Sequence, residues 1–366
     1  MKTRVKQKKR VLVAPLNWGL GHATRCIPII HELLEKGVEV VVASDGTALD
    51  LLKKEYPKLT FVALPAYNVT YKASNMTWNI ATQFPKIAIA MLREFFALQR
   101  LIRRFDIAAV IVDNRYGCWT WKVPTVFMTH QVRIKIPNPI LQRIVNQINR
   151  IVLRLFDKVW IPDLPNEPNL AGYLAHDFSL QNIAYIGILS RMKPMNIKKV
   201  YDIGIVLSGP EPQRTYLEEK LLKDVKKLHS KTPEIQILFV KGKIGSPEKE
   251  IYDNIEIHNY LTSHELNNKM AACKLIIARS GYSTIMDLAV MNKKAILIPT
   301  PGQTEQEYLA DLHQRQGSFY AMSQSEFELE EALAKSESYR GFDANFQGES
   351  LLSNEVSALV SLLSGF

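Results

Sequence analysis

VLVAPLNWGLGHATRCIPIIHELLEKGVEVVVAS, residues 11–44, is the stretch that decides the fold. It opens on an apolar run, VLVAPL (11–16), that reads as a buried strand. A glycine-bearing turn follows, and then CIPIIHELLEKG (26–37), a helical pattern with Gly37 as its C-cap. VEVVVAS (38–44) is a second strand, rich in β-branched residues. Strand, turn, helix and strand in this order make a βαβ unit, which implies a parallel sheet covered by helices.

The pattern continues outward. LTFVALP (59–65), AAVIVD (108–113), TVFMTH (125–130), KVWIP (158–162) and IAYIGIL (183–189) read as further strands of the same half. SRMKPMNIKKVYD (190–202) is polar, carries Pro194 and reads as a linker. Then the pattern restarts: IGIVLSG (203–209), a helix over 216–229, IQILFVKG (235–242), IEIHNYL (255–261), LIIARSG (275–281) and AILIPTP (295–301). LLSNEVSALVSLL (351–363) reads as a terminal amphipathic helix. The expected architecture is α/β: two Rossmann-like parallel-sheet domains facing across a cleft. The first covers residues 1–190, the second 200–345, and the helix 346–366 packs back on the first. In such sheets ligands bind beyond the carboxyl ends of the strands.

The 366 residues suit two domains, and 47% hydrophobic with 22% charged residues is a globular composition. Cys26, Cys118 and Cys273 are odd in number and far apart, so neither a disulfide framework nor a CxxC metal site is expected. No charge-free stretch reaches the roughly 18 residues of a membrane helix. The start, MKTRVKQKKR, is a basic leader whose following apolar run breaks at Pro15 and Asn17, unlike a signal peptide. A cytoplasmic protein is expected, with peripheral attachment to the inner membrane face left open. The net charge of +10 is unevenly placed: residues 1–190 hold 25 Lys and Arg against 13 Asp and Glu, and residues 191–366 hold 21 against 23. The first half therefore meets something anionic, or is basic only for solubility.

Four motifs can carry chemistry. In LNWGLGHATR (16–25), Gly19 and Gly21 permit a tight turn, and His22 at its tip can take a proton from a hydroxyl. The spacing is not GxGxxG, which disfavours a nicotinamide site. In IVDNRYG (111–117), Asp113 ends a strand on the same sheet edge and can orient the imidazole, or serve only a loop turn. In ARSGYSTIMDLA (278–289), Arg279, Ser280 and Gly281 turn into a helix whose free amides suit a diphosphate. Asp287 lies further along that helix, where a carboxylate can hold a ribose diol. In PTPGQTEQEYLADL (299–312), Gln303, Glu305, Gln306 and Glu307 crowd a helix start and suit a polyhydroxylated sugar. His130, ending TVFMTH, is the other histidine at the cleft edge and a second candidate base.

Taken in order, these pieces resemble GT-B glycosyltransferases. The nearest family is the UDP-N-acetylglucosamine-dependent transferase of the lipid-linked peptidoglycan precursor, with its relatives. RSGYSTIMDL and the run ending QEYLA look like that family's donor-site signatures, and WGLGHA carries the resemblance in the first half. The resemblance implies a UDP-sugar as donor substrate, no cofactor, and no metal. It implies Asp287 on the ribose of UDP, Ser280 and Gly281 beside the diphosphate, and Tyr260 and Leu261 framing uracil. Gln306 and Glu307 would meet the sugar hydroxyls, and His22 would lie near the reacting carbon. The chain departs from the pattern at SGPEPQR (208–214), where Pro210 and Pro212 cannot donate amide hydrogen bonds, so Gly209 and Arg214 are the expected phosphate contacts there. Glu307 stands where the family commonly shows a second glutamine.

Residues 86–104 and 140–156 are basic and amphipathic, suited to a membrane surface or to ordinary core helices with solvated basic faces. An inverting transfer of N-acetylglucosamine or another hexose to an acceptor glycan or lipid-linked sugar is the leading expectation. A UDP-sugar 2-epimerase shares the architecture but leaves the basic surface without a purpose. Nucleic acid is not an expected partner, because aromatic–basic interleaving, helix-turn-helix and zinc-finger spacings are missing.

Overall fold

β1 (Arg10–Pro15) is buried from Val11 onward, the consequence of an apolar run placed in mid-sheet. Around it lie β2 (Glu39–Ser44), β3 (Thr60–Ala63), β4 (Ile107–Asp113), β5 (Thr125–Met128), β6 (Lys158–Ile161) and β7 (Ile183–Tyr185). Their order is β3-β2-β1-β4-β5-β6-β7, and every pairing is parallel. The helices are α1 (Leu20–Glu35), α2 (Gly46–Glu55), α3 (Phe84–Phe105) and α4 (Pro139–Leu153). The computed structural model describes residues 9–67, 83–177, 179–243, 249–342 and 351–364. The first eight residues of the basic leader, and residues 346–350 of the expected C-terminal unit, lie outside them.

The second sheet repeats the plan. β8 (Tyr201–Val206), β9 (Ile237–Val240), β10 (Lys249–Tyr252), β11 (Ile255–His258), β12 (Cys273–Ala278), β13 (Lys294–Leu297) and β14 (Tyr320–Ala321) run in the order β10-β11-β9-β8-β12-β13-β14. Only the pairing of β10 with β11 is antiparallel. Its helices are α5 (Gln213–Lys231), α6 (Ser263–Ala271), α7 (Tyr282–Val290), α8 (Thr304–Arg315) and α9 (Leu329–Ser336). α10 (Leu351–Ser364) returns to α1, where Lys36 Nζ donates to Ser353 Oγ at 3.2 Å.

In each sheet the winding reverses once, between β1 and β4 and between β8 and β12. Such switch points open a crevice at the strands' carboxyl ends. His22 follows β1 and Asp113 ends β4, while Gly209 follows β8 and Arg279 follows β12. The sequence motifs therefore sit at the two places this topology reserves for ligands.

Two expectations change, and one that was open narrows. α1 begins at Leu20 rather than Cys26, with Gly19 at φ +82° as its N-cap, so His22 lies in the first helical turn and not in a loop. The linker is not free chain: Ser190 Oγ donates to Asp287, an Arg191 terminal nitrogen donates to Ser263 Oγ at 3.0 Å, and Met192 is buried. Finally, α3 and α4 turn much of their apolar surface outward, with Ile140 73% and Leu92 61% exposed.

Candidate active site

At the first switch point the helix start of α1 brings His22 against the end of β4. Nδ1 of His22 lies 3.1 Å from Asp113 Oδ2. Arg25, one turn further along α1, forks onto the same carboxylate, with its Nε 2.7 Å from Oδ2 and a terminal nitrogen on Oδ1. The other terminal nitrogen is 2.9 Å from His130 Nδ1. Arg25 and Asp113 are both buried. Burial alone would raise the Asp113 carboxyl, but Arg25 and then His22 outweigh it and hold it down at about 2.

Donor and acceptor rules fix the two histidines. Arginine only donates, so His130 Nδ1 must accept from Arg25, and His130 carries its proton on Nε2. That proton goes to Glu305 Oε1 at 2.8 Å. Both nitrogens of His130 are committed, and no lone pair remains for a substrate. His22 differs. Its Nδ1 faces Asp113 at 3.1 Å and an Arg25 terminal nitrogen at 2.9 Å, and it can serve only one of them. When Nδ1 donates to Asp113, Nε2 keeps its lone pair and His22 is competent as a base. When Nδ1 accepts from Arg25, Nε2 is protonated and it is not. Of the two candidate histidines, the geometry leaves only His22 able to take a proton.

Among the described residues, the polar groups that line the second switch point form no ion pair with one another. Arg279 is buried and donates to Ile298 O at 3.3 Å, Pro299 O at 3.1 Å, Gln213 O at 2.8 Å and Gln324 Oε1 at 2.7 Å, and burial pushes its guanidinium down to about 10. It braces the turn from behind. Ser280 Oγ donates to Gln306 O at 2.8 Å, and Gln306 Oε1 accepts from Thr300 N at 2.9 Å, which ties three turns together. Gly281 is the N-cap of α7, with open room around it, the nearest side-chain atoms lying 3.9 Å from a built Cβ. Gly209, at φ +114°, is exposed opposite Thr300. Tyr260 is half-buried under Lys54, 5.4 Å above its ring, and Leu261 is buried. Asp287 Oδ1 accepts from Ser190 Oγ at 2.5 Å, and burial raises its carboxyl to about 6 against the pull of Arg191. Among the described residues Thr300 Oγ1 and Gln303 Oε1 are buried with no hydrogen-bond partner.

Two expected contacts are corrected. Arg214 is buried and spends its terminal nitrogens on Glu218 at 2.6 Å, Lys241 O at 3.0 Å, Thr215 Oγ1 at 3.0 Å and Glu211, which leaves little of it for a phosphate. Glu307 is exposed and its Oε1 accepts from Gly302 N at 2.9 Å, so that oxygen caps its own helix start. The carboxylate that enters the cleft is Glu305, bonded to His130 and Gln131. Arg25 and Tyr282, whose ring stacks on His130 at 4.2 Å, were not singled out from sequence. The signal for Arg25 was there: it lies three residues past His22 on one helix face.

The two switch points meet. Ser283 Oγ donates to Gly21 O at 3.0 Å and Tyr282 Oη to Pro162 O at 2.7 Å. A helix N-terminus that can hold an anion therefore opposes the His22 turn directly. Among the described residues no group of three or more His, Cys, Asp or Glu side chains is placed to hold a metal ion.

Residues 206–350 match the glycosyltransferase family 28 C-terminal domain. Across 97% of the chain the structure superposes on the calicheamicin glycosyltransferase CalG4, 99% of which is covered, with a TM-score of 0.66 at 13% identity. It also superposes on MurG of Acinetobacter baumannii, with a TM-score of 0.57 at 14% identity over 98% of this chain and all of that one. The chain is a GT-B glycosyltransferase. Among its curated relatives, the UDP-N-acetylglucosamine–N-acetylmuramyl-(pentapeptide) pyrophosphoryl-undecaprenol N-acetylglucosamine transferase of Natranaerobius thermophilus is 24% identical over 78% of each chain. An uncharacterized glycosyltransferase of Methanosarcina acetivorans is 22% identical over 84% of each. The family 28 match begins at the last residue of β8 and spans the second switch point of this glycosyltransferase. The His22–Arg25–Asp113 cluster lies outside it.

Proposed function

We propose that this glycosyltransferase inverts the anomeric centre of a UDP-sugar, moving N-acetylglucosamine or another hexose to an acceptor presented at a membrane surface. The observation that carries the reading is the base-competent His22–Asp113 pair, set against the N-terminus of α7 across a gap closed by Gly21 and Ser283. His22 Nε2 takes the acceptor's hydroxyl proton as that oxygen bonds to the anomeric carbon. The bond from that carbon to the diphosphate breaks, and UDP leaves with the electron pair. Base and leaving group belong to opposite halves, so attack comes from the face opposite departure and configuration inverts. The amides at the start of α7 meet the growing diphosphate charge, without a metal ion in this reading. Asp287 holds the ribose through Oδ2, and through Oδ1 once Ser190 gives way. Glu305, Gln303 and Gln306 face the sugar.

The division of labour follows: residues 1–190 take the acceptor and residues 200–345 the donor. One relative's name supports both halves of it, since that enzyme's donor is UDP-N-acetylglucosamine and its acceptor a pyrophosphoryl-undecaprenol glycopeptide. The outward apolar faces of α3 and α4, with the surplus of basic residues in the first half, support attachment to an anionic bilayer from the cytoplasmic side. Among the described residues no helix is long and apolar enough to cross a membrane. Incubation with a panel of UDP-sugars, with and without EDTA, tests the reading. Release of UDP by transfer or hydrolysis is expected. Conversion of the sugar to its 2-epimer with UDP still attached would instead establish an epimerase, and no reaction with any UDP-sugar would sink the proposal.

A further inference from the structure

Beside the cleft, the segment after β5 and the helix α4 border a half-open cavity of about 430 Å³ that no step above uses. Arg133, Arg143, Arg150 and Tyr173 line it. One carboxylate pairs with these guanidinium groups: buried Asp177, 2.8 Å from Arg150 and 3.7 Å from Arg133. Arg143 makes no ion pair among the described residues, so three cations face one anion and positive charge is in surplus. Two of the three are oriented in advance. Arg150 also donates to Gln147 Oε1 at 2.8 Å, and Arg133 lies over the Tyr173 ring at 4.8 Å. The wall is stiff as well, because Asn146 bonds both polar groups of the Ile134 backbone, at 2.7 and 3.1 Å. Guanidinium forks held ready, one buried carboxylate behind them and an uncommitted arginine in front suit a tetrahedral oxyanion that accepts several paired hydrogen bonds.

The surroundings say what kind of molecule bears that anion. On one side runs the exposed apolar face of α4, with Ile140, Ile144, Ile148 and Ile151. On the other, Lys135 sits 4.6 Å above the Tyr308 ring, and Tyr308 Oη accepts from Tyr173 N at 2.9 Å. Tyr308 belongs to α8, whose first turn places Glu305 in the cleft. The cavity thus lies between an apolar surface and the rim of the reaction site. We propose that it binds the phosphate group of an amphiphile whose hydrocarbon chain lies along α4. This rests on the reading of the first half as the acceptor side. Two sources share the chemistry: a phosphate within a lipid-linked acceptor, and the headgroup of a bulk phospholipid.

The test uses the full chain saturated with UDP, so that the donor site is filled, and inorganic pyrophosphate as probe in calorimetry. Arg143→Gln removes an unpaired side chain and should leave the thermal midpoint unchanged; Arg133→Gln is the second variant. Wild-type protein should bind pyrophosphate, and each variant should bind it about ten-fold more weakly, the value of one charge-assisted contact. The same proteins are then sedimented with phosphatidylglycerol and phosphatidylcholine vesicles. Loss of the preference for phosphatidylglycerol in Arg143→Gln assigns the pocket to a lipid headgroup. Retained preference alongside lost pyrophosphate binding assigns it to the acceptor's phosphate. Equal pyrophosphate affinity in all three proteins, or none in the wild type, overturns the proposal. UDP affinity, measured first, separates this outcome from a failure of the donor reading, which would leave UDP unbound whatever the arginines do.

Discussion

The turn after β1 and the turn after β12 hold equivalent places in their sheets, yet they are built from different chemistry. Around the first, charges are buried in pairs: Arg25 with Asp113, and Arg115 with Glu94 and Asp45. Arg115 also donates to Pro15 O at 2.8 Å, which fixes the end of β1. Around the second, Arg279 ends on backbone carbonyls and an amide, and Thr300 Oγ1, Gln303 Oε1 and Arg279 Nε are buried with no partner among the described residues. A site that handles a proton needs fixed charges close by, to set which nitrogen of a histidine carries it. A site that grips a hydroxyl-rich ligand needs polar atoms left unsatisfied until it arrives. In the function proposed above, the difference puts chemistry at the first turn and holding at the second, and substitutions can break that reading.

The largest effects belong at the first turn. His22→Ala should lower turnover by roughly 10²–10⁴-fold, the usual worth of a general base, with UDP affinity nearly intact. His130→Ala should cost much less, because both its nitrogens are already committed. Initial rates and UDP calorimetry on the two variants decide it: normal turnover in His22→Ala with a collapse in His130→Ala would move the base. Asp113→Asn should in addition strand Arg25 as a buried unpaired charge, at a cost of about 3–5 kcal/mol in denaturant unfolding. Because the folded Asp113 carboxyl is held below its ordinary value of 3.8, its contribution is complete above that value and is lost as pH falls toward 2. An Asp113→Asn variant as stable as wild type at pH 7 would show the pair to be ornamental.

At the second turn the effects should be smaller and should fall on binding. Asp287→Asn should weaken UDP by about 1–3 kcal/mol through lost charge-assisted bonds to the ribose. The carboxyl is raised to about 6, so it is charged above that value and neutral below it. Wild-type UDP affinity should therefore drop as pH falls through 6, and Asp287→Asn should be indifferent to pH there. The sign for stability is opposite: a raised carboxyl stabilises the fold most when protonated, and this contribution is lost as pH rises from 3.8 to about 6. Asp287→Asn should thus keep or gain stability at pH 7 while losing affinity. A variant that loses both would make Asp287 a structural residue. Glu305→Gln should alter the ranking of UDP-glucose, UDP-galactose and UDP-N-acetylglucosamine, because it replaces an acceptor-only group in the cleft. Glu307→Gln, whose Oε1 already accepts from Gly302 N, should leave that ranking unchanged.

What could be read from sequence was whatever is local. Apolar runs bounded by turns located twelve of the fourteen strands; the two-residue β14 is too short to leave a pattern, and β10, whose KEIY is exposed throughout, has no buried face to announce it. Thr262-Ser263-His264-Glu265 is the capping box that starts α6, a local signal that the sequence reading above left unused. Asp113, which ends β4, and His22, in the turn of helix that follows β1, were legible because topology places the ends of these strands at the crevice. What depends on packing was not. Nothing local separates Glu305 from Glu307, two residues apart on one helix, until α8 is seen against His130. Arg214 looks like a phosphate contact until Glu211 and Glu218 are found around it. The outward turn of α4 was equally hidden, since an amphipathic pattern states that a helix has two faces and not which one meets the protein.

That last point leads to the gentlest test of the contrast between the halves. Ile140, Ile144, Ile148, Ile151 and Leu155 recur every three or four residues and are all exposed, and Arg143 and Arg154 flank them. On α3, Leu92 and Phe96 are exposed beside Trp121, which is 72% exposed. An apolar surface of this extent is costly in water, and with basic residues around it the cover that fits is an anionic bilayer. Vesicle sedimentation should show binding to phosphatidylglycerol that weakens as salt rises, each basic residue near the surface contributing about 1 kcal/mol. Ile144→Ser with Ile148→Ser should weaken binding several-fold and leave UDP affinity untouched, because the donor is held by the other half. A double variant that binds vesicles as wild type does, or a wild-type chain that dimerises through this face instead, would assign the surface to a protein partner and remove the membrane from the reading of the first half.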